Sequence, residues 1–286
     1  MAVKSKCKRS TYRNKPTVLD DLRRRIAKLE RPALVDQTNP PAVLPFDMWQ
    51  IDEVLPWRGL PPSALHEIVA AGHAATAAGF CAALLGRAAS LPSTQGKPVL
   101  WCQSRQRGRP LYAPGLAAFG LNAENLIVVA TDSDRDLLWC LEESLRSGAL
   151  AAVLGETGSV APTSLRRLQL AAETGGGMAF LLRPERTSAA PGPVLTRWRV
   201  GAAPSRPKRP GRWPGPPCWQ LELLRCRGGS PGDWPEKWLV EWSHETTNKG
   251  TATPAGRFTL AAEVRQRPLA PAASRVGVPE TSRYAA

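Results

Sequence analysis

The chain has 286 residues, of which 43% are hydrophobic, with 28 prolines, 24 glycines and a formal net charge of +14. This length supports a sizeable buried core, and no apolar run approaches the roughly 18 residues that a membrane helix needs. Its six cysteines contain no Cys-x-x-Cys pair, and its three histidines lie at no metal-ligand spacing to a cysteine. The composition therefore disfavours a membrane protein and a zinc site, and reduced thiols in the cytoplasm fit it best.

The positive charge is concentrated at the two ends of the chain. Residues 1–31 carry 11 basic and 3 acidic side chains and residues 186–286 carry 16 and 7, whereas residues 32–185 carry 11 and 14. Basic ends can bind phosphate backbones with little sequence preference, dock on an acidic protein face, or remain solvated tails. All three interpretations stay open at this point.

Residues 1–36 are predicted to form a basic tail followed by a short amphipathic helix. Thr17 can cap the helix, which has an apolar stripe on one face and a basic cluster of Arg23, Arg24 and Arg25 beside it. Because about ten residues cannot hold an isolated helix, the stripe must dock on this chain's own core or on a neighbouring subunit.

The core is predicted to be an α/β domain over residues 63–243, preceded by a proline-rich connection at 37–62 that lies over the core surface. Apolar strand-like runs alternate with helical ones, which indicates a mostly parallel sheet flanked by helices and covered on both faces. Residues 244–286 are predicted to be a partly disordered C-terminal tail. The predicted strands are 65–70, 98–103, 126–131, 150–155 and 178–183, and the predicted helices are 76–90, 112–119, 133–147 and 162–174.

The composition changes after Arg183, where residues 184–217 are predicted to form a basic loop and β insertion rich in Pro, Gly, Ala and Arg. Strand-like pieces at 194–203, 218–227 and 238–243 predict antiparallel edge strands or a hairpin appended to the sheet. The basic cluster of the insertion consists of Arg206, Lys208, Arg209 and Arg212.

Six of the ten tryptophans lie between residues 198 and 242, interleaved with arginine. Such tryptophans can stack single-stranded bases, form a protein interface or pack the core of small strands. Core packing is the favoured interpretation for Trp219 and Trp238, and Trp213 is the best candidate for an exposed contact.

Residues 66–80 have the strand–loop–helix layout of a phosphate-binding loop without its chemistry. A working loop needs Gly-x-x-x-x-Gly-Lys-[Ser/Thr], because backbone N–H groups cradle the phosphates, the lysine reaches the terminal ones and the hydroxyl holds Mg²⁺. Here the lysine position falls near a threonine, and the hydroxyl position falls on an alanine. We predict a degenerate P-loop that consists of Gly72, His73, Ala75, Thr76 and Ala77.

Two other positions that an ATPase requires also lack a convincing residue. The strand predicted at 150–155 is followed by Glu156, which is the candidate for a Walker B carboxylate, although a carboxylate at a strand end is commonplace. The strand predicted at 98–103 ends in Gln103, Ser104 and Arg105, where a catalytic carboxylate is expected, and an arginine cannot act as the base that orients water. The joint loss predicts no catalytic residue, no cofactor and weak or no ATPase activity.

In order along the chain, these segments resemble a RecA-like core. The helix at residues 22–30, the Ala-Leu-His-Glu-Ile run at 64–68, the helix at 165–173 and the Cys-Arg-Gly-Gly-Ser-Pro-Gly-Asp-Trp run at 226–234 are similar to the ImuA family. That family consists of RecA-like accessory proteins of bacterial SOS-induced translesion synthesis. The resemblance covers roughly residues 17–270.

The resemblance implies a non-catalytic adaptor in mutagenic translesion DNA synthesis. Such an adaptor would be cytoplasmic and nucleoid-associated, and it would bridge ImuB, an inactive Y-family polymerase homologue, and an error-prone C-family DNA polymerase. RecA, DNA and a second copy of the chain are further candidate partners, and no membrane is implied. The residues expected to contact the partner or DNA are Arg23, Arg24, Arg25, Arg206, Lys208, Arg209, Arg212 and Trp213.

Three other classes of protein stay open. An active ATPase would bind Mg²⁺-ATP tightly. A cell-division inhibitor resembling SulA shares a degenerate RecA-like core, but such proteins are shorter and lack this basic tail. A stand-alone single-stranded-DNA-binding protein of RecA-like fold would bind with salt-sensitive affinity without any partner.

Overall fold

The computed structural model describes residues 42–106, 111–185, 192–205, 215–229, 237–243 and 256–264. In these ranges the helices are α1 (Trp49–Asp52), α2 (Ala74–Ala89), α3 (Ala113–Leu116), α4 (Asp134–Arg146) and α5 (Pro162–Gly175), with 3-10 turns at Ala117–Phe119 and Ala123–Asn125. The strands are β1 (Leu65–Ala71), β2 (Val99–Ser104), β3 (Leu126–Thr131), β4 (Ala152–Glu156), β5 (Met178–Pro184), β6 (Thr196–Ala202), β7 (Cys218–Cys226), β8 (Lys237–Ser243) and β9 (Arg257–Val264).

The nine described strands form one sheet in the order β3-β2-β4-β5-β1-β6-β7-β8-β9. The strands from β3 to β6 in this order pair in parallel, and β7, β8 and β9 continue the sheet in antiparallel pairing. The prediction of an α/β fold with a mostly parallel sheet flanked by helices is therefore confirmed.

The five strands predicted in the parallel part are all present, within two residues of the predicted bounds. The runs of β1, β2, β4 and β5 are largely buried because helices cover both faces of this part of the sheet, whereas β3 at the edge is partly exposed. Helix α4 starts within one residue of the predicted bound, and its N-cap is Ser133, whose hydroxyl accepts a hydrogen bond from the Asp136 N–H at 3.1 Å. The helix predicted at 112–119 is a single α turn followed by a 3-10 turn, because Pro114 and Gly115 lie within it and Gly120 ends it with a φ of 79°.

Strand β6 was predicted to belong to antiparallel edge strands or to a hairpin appended to the sheet. It does pair antiparallel with β7, but its pairing on the other side differs from the prediction. It pairs in parallel with β1 inside the sheet, where Glu67 lies opposite Arg197 and Ile68 lies opposite Trp198. Beyond β6, the described strands β7, β8 and β9 extend the sheet, each antiparallel to the strand before it. The pairing partner of a strand depends on contacts between residues that are distant in sequence, and a local pattern cannot show it.

The segment from residue 42 to residue 62 was expected to lie over the core surface, but the structure places much of it inside the core. Apolar side chains of this segment pack against α2, and an isolated bridge between Leu44 and Leu60 closes it into a loop. Proline-rich composition predicts the irregular backbone correctly, but it does not show which side chains face inward. The fully buried residues of this segment are Leu44, Phe46, Ile51, Leu55 and Leu60.

Strand β9 lies within the stretch that the sequence assigned to a tail without an element. It pairs with β8 along its whole length, and the ring of Phe258 is buried 5.0 Å from the ring of Trp242. A single strand with one apolar face gives a weak local pattern, and it gains its stability from the neighbouring strand.

The two faces of the sheet carry different layers. Helix α2 and the segment 42–62 cover one face, and they pack on both the parallel strands and the antiparallel extension. Helices α4 and α5 cover the opposite face of the parallel strands alone, in a separate apolar cluster. In the described ranges, no helix is both long enough and apolar enough to cross a membrane.

Candidate functional site

The predicted degenerate P-loop is a two-residue turn at the carboxyl end of β1. Only Gly72 and His73 separate the end of β1 from the start of α2, and both are exposed. Gly72 has a φ of 83°, a left-handed conformation that glycine adopts without strain. His73 is the N-cap residue of α2, but its side chain makes no capping hydrogen bond.

The residues after the turn belong to the first turn of α2. The Thr76 N–H donates to the His73 carbonyl at 3.1 Å, and the Thr76 carbonyl accepts a hydrogen bond from the Trp219 indole at 2.9 Å. Ala75 is exposed, whereas Ala77 is buried in the core. The start of the helix is thus tied to β7 by packing and hydrogen bonding.

Glu156, the predicted Walker B carboxylate, lies at the end of β4 and is half-buried. Its Oε1 accepts a hydrogen bond of 2.6 Å from the indole of Trp101 on β2. Burial raises the pKa of the Glu156 carboxyl, although this hydrogen bond opposes the shift. Burial and, to a lesser degree, the charge of Glu156 raise the pKa of the Cys81 thiol on α2.

The end of β2, where a catalytic carboxylate was expected, carries two buried side chains and an exposed ion pair. Gln103 and Ser104 are buried, and Arg105 lies 3.6 Å from Asp132. Strands β4 and β5 lie between β2 and β1, so at about 4.8 Å per strand the end of β2 is about 14 Å from the Gly72 turn. Among the described residues, no group of three or more His, Cys, Asp or Glu side chains could hold a metal ion.

The ionisable groups that the structure does bring together lie inside the sheet, and the sequence analysis missed them. Glu67 on β1 pairs with Arg183 on β5 and with Arg197 on β6, whose Nε is 2.5 Å from Glu67 Oε2. Arg183 Nε also donates to the Gly158 carbonyl at 2.9 Å. All three charged side chains are buried. An ionisable residue within each of three apolar strand-like runs was the signal that could have revealed this group.

A second ion-pair group continues from the first toward the carboxyl end of the same strands. Arg199 on β6 donates from Nε to Glu185 at 2.8 Å, and its Nη1 lies 3.2 Å from Glu222 on β7. The hydrogen bond to Glu185 raises the pKa of the Arg199 guanidinium. Because these side chains are partly exposed, removal of one partner should cost less here than in the buried group.

His66, next to Glu67, is buried on the opposite face of β1. Its Nδ1 lies 2.8 Å from the Thr196 hydroxyl and its Nε2 lies 3.0 Å from the Pro61 carbonyl. Burial lowers the pKa of His66 to about 4, so the ring is neutral near pH 7. A neutral ring that donates from Nε2 to Pro61 and accepts from Thr196 satisfies both contacts. His66 therefore joins the segment 42–62 to β1 and β6.

The tryptophans of β6, β7 and β8 are core residues in the ranges that the structure describes. Their rings pack against α2 and one another, with Trp198 and Trp238 at a centroid distance of 6.0 Å. This arrangement confirms core packing for Trp219 and Trp238 and excludes a base-stacking surface built from these rings. The buried members are Trp198, Trp219, Trp238 and Trp242.

The predicted partner or DNA contacts lie outside the described residues, and their positions stay predictions. They are Arg23, Arg24, Arg25, Arg206, Lys208, Arg209, Arg212 and Trp213. The described residues that flank the cluster at 206–212 show where this stretch of chain leaves the sheet and returns to it. Strand β6 ends at Ala202, at the same edge of the sheet as Gly72, and the Ala203 N–H donates to the Cys218 carbonyl at 3.1 Å.

A groove with a volume of about 610 Å³ lies between α4 and α5, away from all of these residues. Leu138, Trp139 and Leu168 contribute apolar surface to it, and Arg135, Glu142 and Arg167 contribute charge. None of the predicted site residues lines it. The predicted ATPase positions therefore lie along the carboxyl edge of the sheet and not in this groove.

Comparison with known proteins supplies the family. No protein-family model matches the chain. Two curated proteins called Protein ImuA, from Caulobacter vibrioides strains NA1000 / CB15N and ATCC 19089 / CB 15, are each 37% identical to it over 209 residues. In each case the match covers 68% of this chain and 83% of the relative. Identity at this level over most of the relative's length agrees with the sequence segments that suggested the same family, and the chain belongs to the ImuA family.

Proposed function

We propose that the chain is a non-catalytic adaptor in SOS-induced mutagenic translesion DNA synthesis. In this role it bridges an inactive Y-family polymerase homologue of the ImuB type and an error-prone C-family DNA polymerase. Membership of the ImuA family supports the choice of this system. The proposed fold is RecA-like, and the order of the parallel strands around β1 supports it.

The two-residue turn after β1 is the observation that carries the non-catalytic part of the proposal. In open α/β sheets, ligands bind beyond the carboxyl ends of the strands, and phosphate binding there requires a loop of backbone N–H groups around the anion. Gly72 and His73 alone provide too little backbone to surround a triphosphate. In addition, Glu156 is bonded to the Trp101 indole.

The proposed contacts for the partner or for DNA are the basic segments. The cluster at 206–212 is attached at the carboxyl edge of the sheet, next to the Gly72 turn, and its arginines and lysine suit an acidic protein face or a phosphate backbone. The cluster at residues 23–25 belongs to the predicted amphipathic helix, whose apolar stripe needs a surface to dock on.

Co-purification with the ImuB-type partner tests the proposal. One variant lacks residues 1–31, and a second replaces Arg206, Lys208, Arg209 and Arg212 with Ala. We expect at least one variant to lose the partner, or to lose DNA binding, while keeping a cooperative unfolding transition. A matched control replaces four exposed arginines elsewhere, Arg58, Arg135, Arg166 and Arg257, which removes the same charge.

Complex formation and DNA binding that are unchanged in both variants would contradict the assignment of the basic segments. Tight binding of Mg²⁺-ATP in a calorimetric titration would contradict the non-catalytic part. Localisation at the division septum after overexpression, without any association with a polymerase, would favour a cell-division inhibitor instead.

A further inference from the structure

In the part of the chain that the structure describes, strand β3 is an edge strand without the usual protection against pairing. Among the described residues it bonds to β2 alone, in an uninterrupted register from Leu126 to Thr131. Its sequence, Leu-Ile-Val-Val-Ala-Thr, contains no charge, no proline and no bulge. Ile127 is 43% exposed and Val128 is 44% exposed. Edge strands of soluble proteins are normally protected by charged side chains, proline or bulges.

The opposite edge of the sheet has the protection that β3 lacks. Strand β9 carries Arg257 and Glu263 in its sequence, and its pairing with β8 is interrupted by a register shift between Leu239 and Val240. Of the two edges of the sheet in the described ranges, only the β3 edge therefore offers a regular apolar strand for pairing.

One backbone hydrogen bond shows which residues of β3 have outward-facing backbone groups. The Arg105 N–H donates to the Thr131 carbonyl at 2.9 Å, so the backbone groups of Thr131 point toward β2. Since this direction alternates along a strand, those of Ile127 and Val129 also point toward β2. The N–H and C=O groups that point away from the sheet belong to Leu126, Val128 and Ala130.

We propose that β3 pairs with the β3 strand of a second copy of this chain, antiparallel and about a two-fold axis at Val128. Leu126 and Ala130 lie two residues on either side of Val128, so the outward groups of the two copies coincide in this register. Val128 then faces Val128 of the copy, and Leu126 faces Ala130 of the copy. The pairing forms about six backbone hydrogen bonds, because each such pair exchanges two.

The β3 strand of a second copy is a better pairing partner for β3 than the β9 strand of a second copy would be. The outward groups of β3 are symmetric about Val128, so an identical strand matches them and closes the assembly as a dimer. Pairing of β3 with β9 would instead add copies without limit, and it would bring the charged residues of β9 against apolar ones. Ile127 and Val128 lie on opposite faces of the strand, so antiparallel pairing covers apolar surface on both.

Sedimentation of the purified full chain, without any partner, tests the proposal. The interface is small, so we expect a monomer–dimer equilibrium with a dissociation constant on the order of micromolar. Val128→Lys places two like charges opposite each other across the axis, and it should weaken the dimer by about tenfold or more. Leu224→Lys on β7, at the same 44% exposure, should leave the equilibrium unchanged.

Cross-linking tests the register independently of any effect of lysine on folding. In the proposed pairing, the two Val128 Cα atoms are about 5.5 Å apart, which lies within the range of a disulfide. Val128→Cys should therefore give a disulfide-linked dimer under mild oxidation. Ile127→Cys is the matched control, because Ile127 is equally exposed but faces Val129 of the copy and should give little more than the wild type.

Three results would overturn the proposal. They are a monomer at every concentration tested, equal cross-linking of the two cysteine variants, or growth into large assemblies that Val128→Lys does not prevent. Because no other protein is present, failure here leaves the proposed adaptor function to its own experiment.

Discussion

Strand β1 holds His66 and Glu67 in the buried middle of the sheet, whereas the turn that follows it exposes Gly72 and His73 to solvent. The two regions are only a few residues apart. The turn has the sequence layout of a nucleotide site but lacks the side chains for it, and the strand, which reads as an ordinary apolar run, carries two ionisable groups with buried partners.

In this difference, the polar residues near the centre of the sheet are the ones that join neighbouring strands. Glu67 connects β5, β1 and β6 through two arginines, and His66 connects the segment 42–62 to β6 through Thr196. A buried charge costs several kcal/mol unless it is paired, so each group favours one arrangement of strands over others. The exposed turn has no comparable role in stability.

The largest expected effect comes from breaking the buried ion-pair group. Glu67→Leu leaves Arg183 and Arg197 buried without their carboxylate, and we expect a loss of about 3–5 kcal/mol in the free energy of unfolding, measured by urea denaturation. Glu185→Gln, which removes one acceptor from the partly exposed Arg199, should cost less than about 1 kcal/mol.

A Glu67→Leu variant that is as stable as Glu185→Gln would show that the buried group is not a main source of stability. Combining Glu67→Leu with Arg183→Met and Arg197→Met sharpens the test. Apolar replacement of the whole group should recover much of the loss, since no unpaired charge remains.

The next effect is a pH dependence of stability that comes from His66. Burial lowers the pKa of His66 to about 4 from its ordinary value of 6.5, so between these values the unfolded chain binds the proton and the folded chain does not. Stability from this group is complete above the unfolded pKa and is lost as the pH falls toward the folded one. Between about pH 7.5 and about pH 5 the loss is about 2 kcal/mol.

Denaturation of wild type and of His66→Gln at the two pH values measures this contribution, because groups common to both proteins cancel. The variant should lose about 2 kcal/mol less than the wild type over this range. His73→Gln, at the exposed turn, should leave the pH dependence as it is. An identical pH dependence in wild type and His66→Gln would contradict the assignment of a neutral buried ring.

The smallest expected effect is at the turn itself. Thr76→Lys restores a lysine near the position that a P-loop requires, but the backbone cradle and a free Walker B carboxylate are still missing. We expect no ATP turnover above that of wild type in a phosphate-release assay. Measurable Mg²⁺-dependent turnover in this single variant would mean that the carboxyl edge retains catalytic capacity.

The parallel strands and their helices could be predicted because their signal is local. The parallel strands have continuous apolar runs, such as Leu126–Thr131, whose predicted and observed bounds coincide even though this strand lies partly exposed at the edge. Helix α4 shows its cap at Ser133 in the sequence itself. For the candidate site, the sequence shows which residue types are missing, and the loss of catalysis stays a prediction. The positions of the site residues within the sheet could not be predicted.

The remaining features could not be predicted because they depend on distant partners. The pairing of β6 with β1 places Arg197 opposite Glu67, 130 residues away in the chain. The burial of Phe46 against Trp198 and the pairing of β9 with β8 are of the same kind. No window of sequence contains both members of such a contact.

The sequence by itself determined the α/β class, the parallel strands, the absence of a P-loop lysine and the segments that resemble the ImuA family. The tertiary structure alone decided that the turn at Gly72 is only two residues long, that Glu156 is bonded to an indole, and that Glu67 lies between two buried arginines. The physical reason is that periodicity and missing residue types are properties of the local chain. Burial and ion pairing, in contrast, arise only when strands far apart in sequence meet in one sheet.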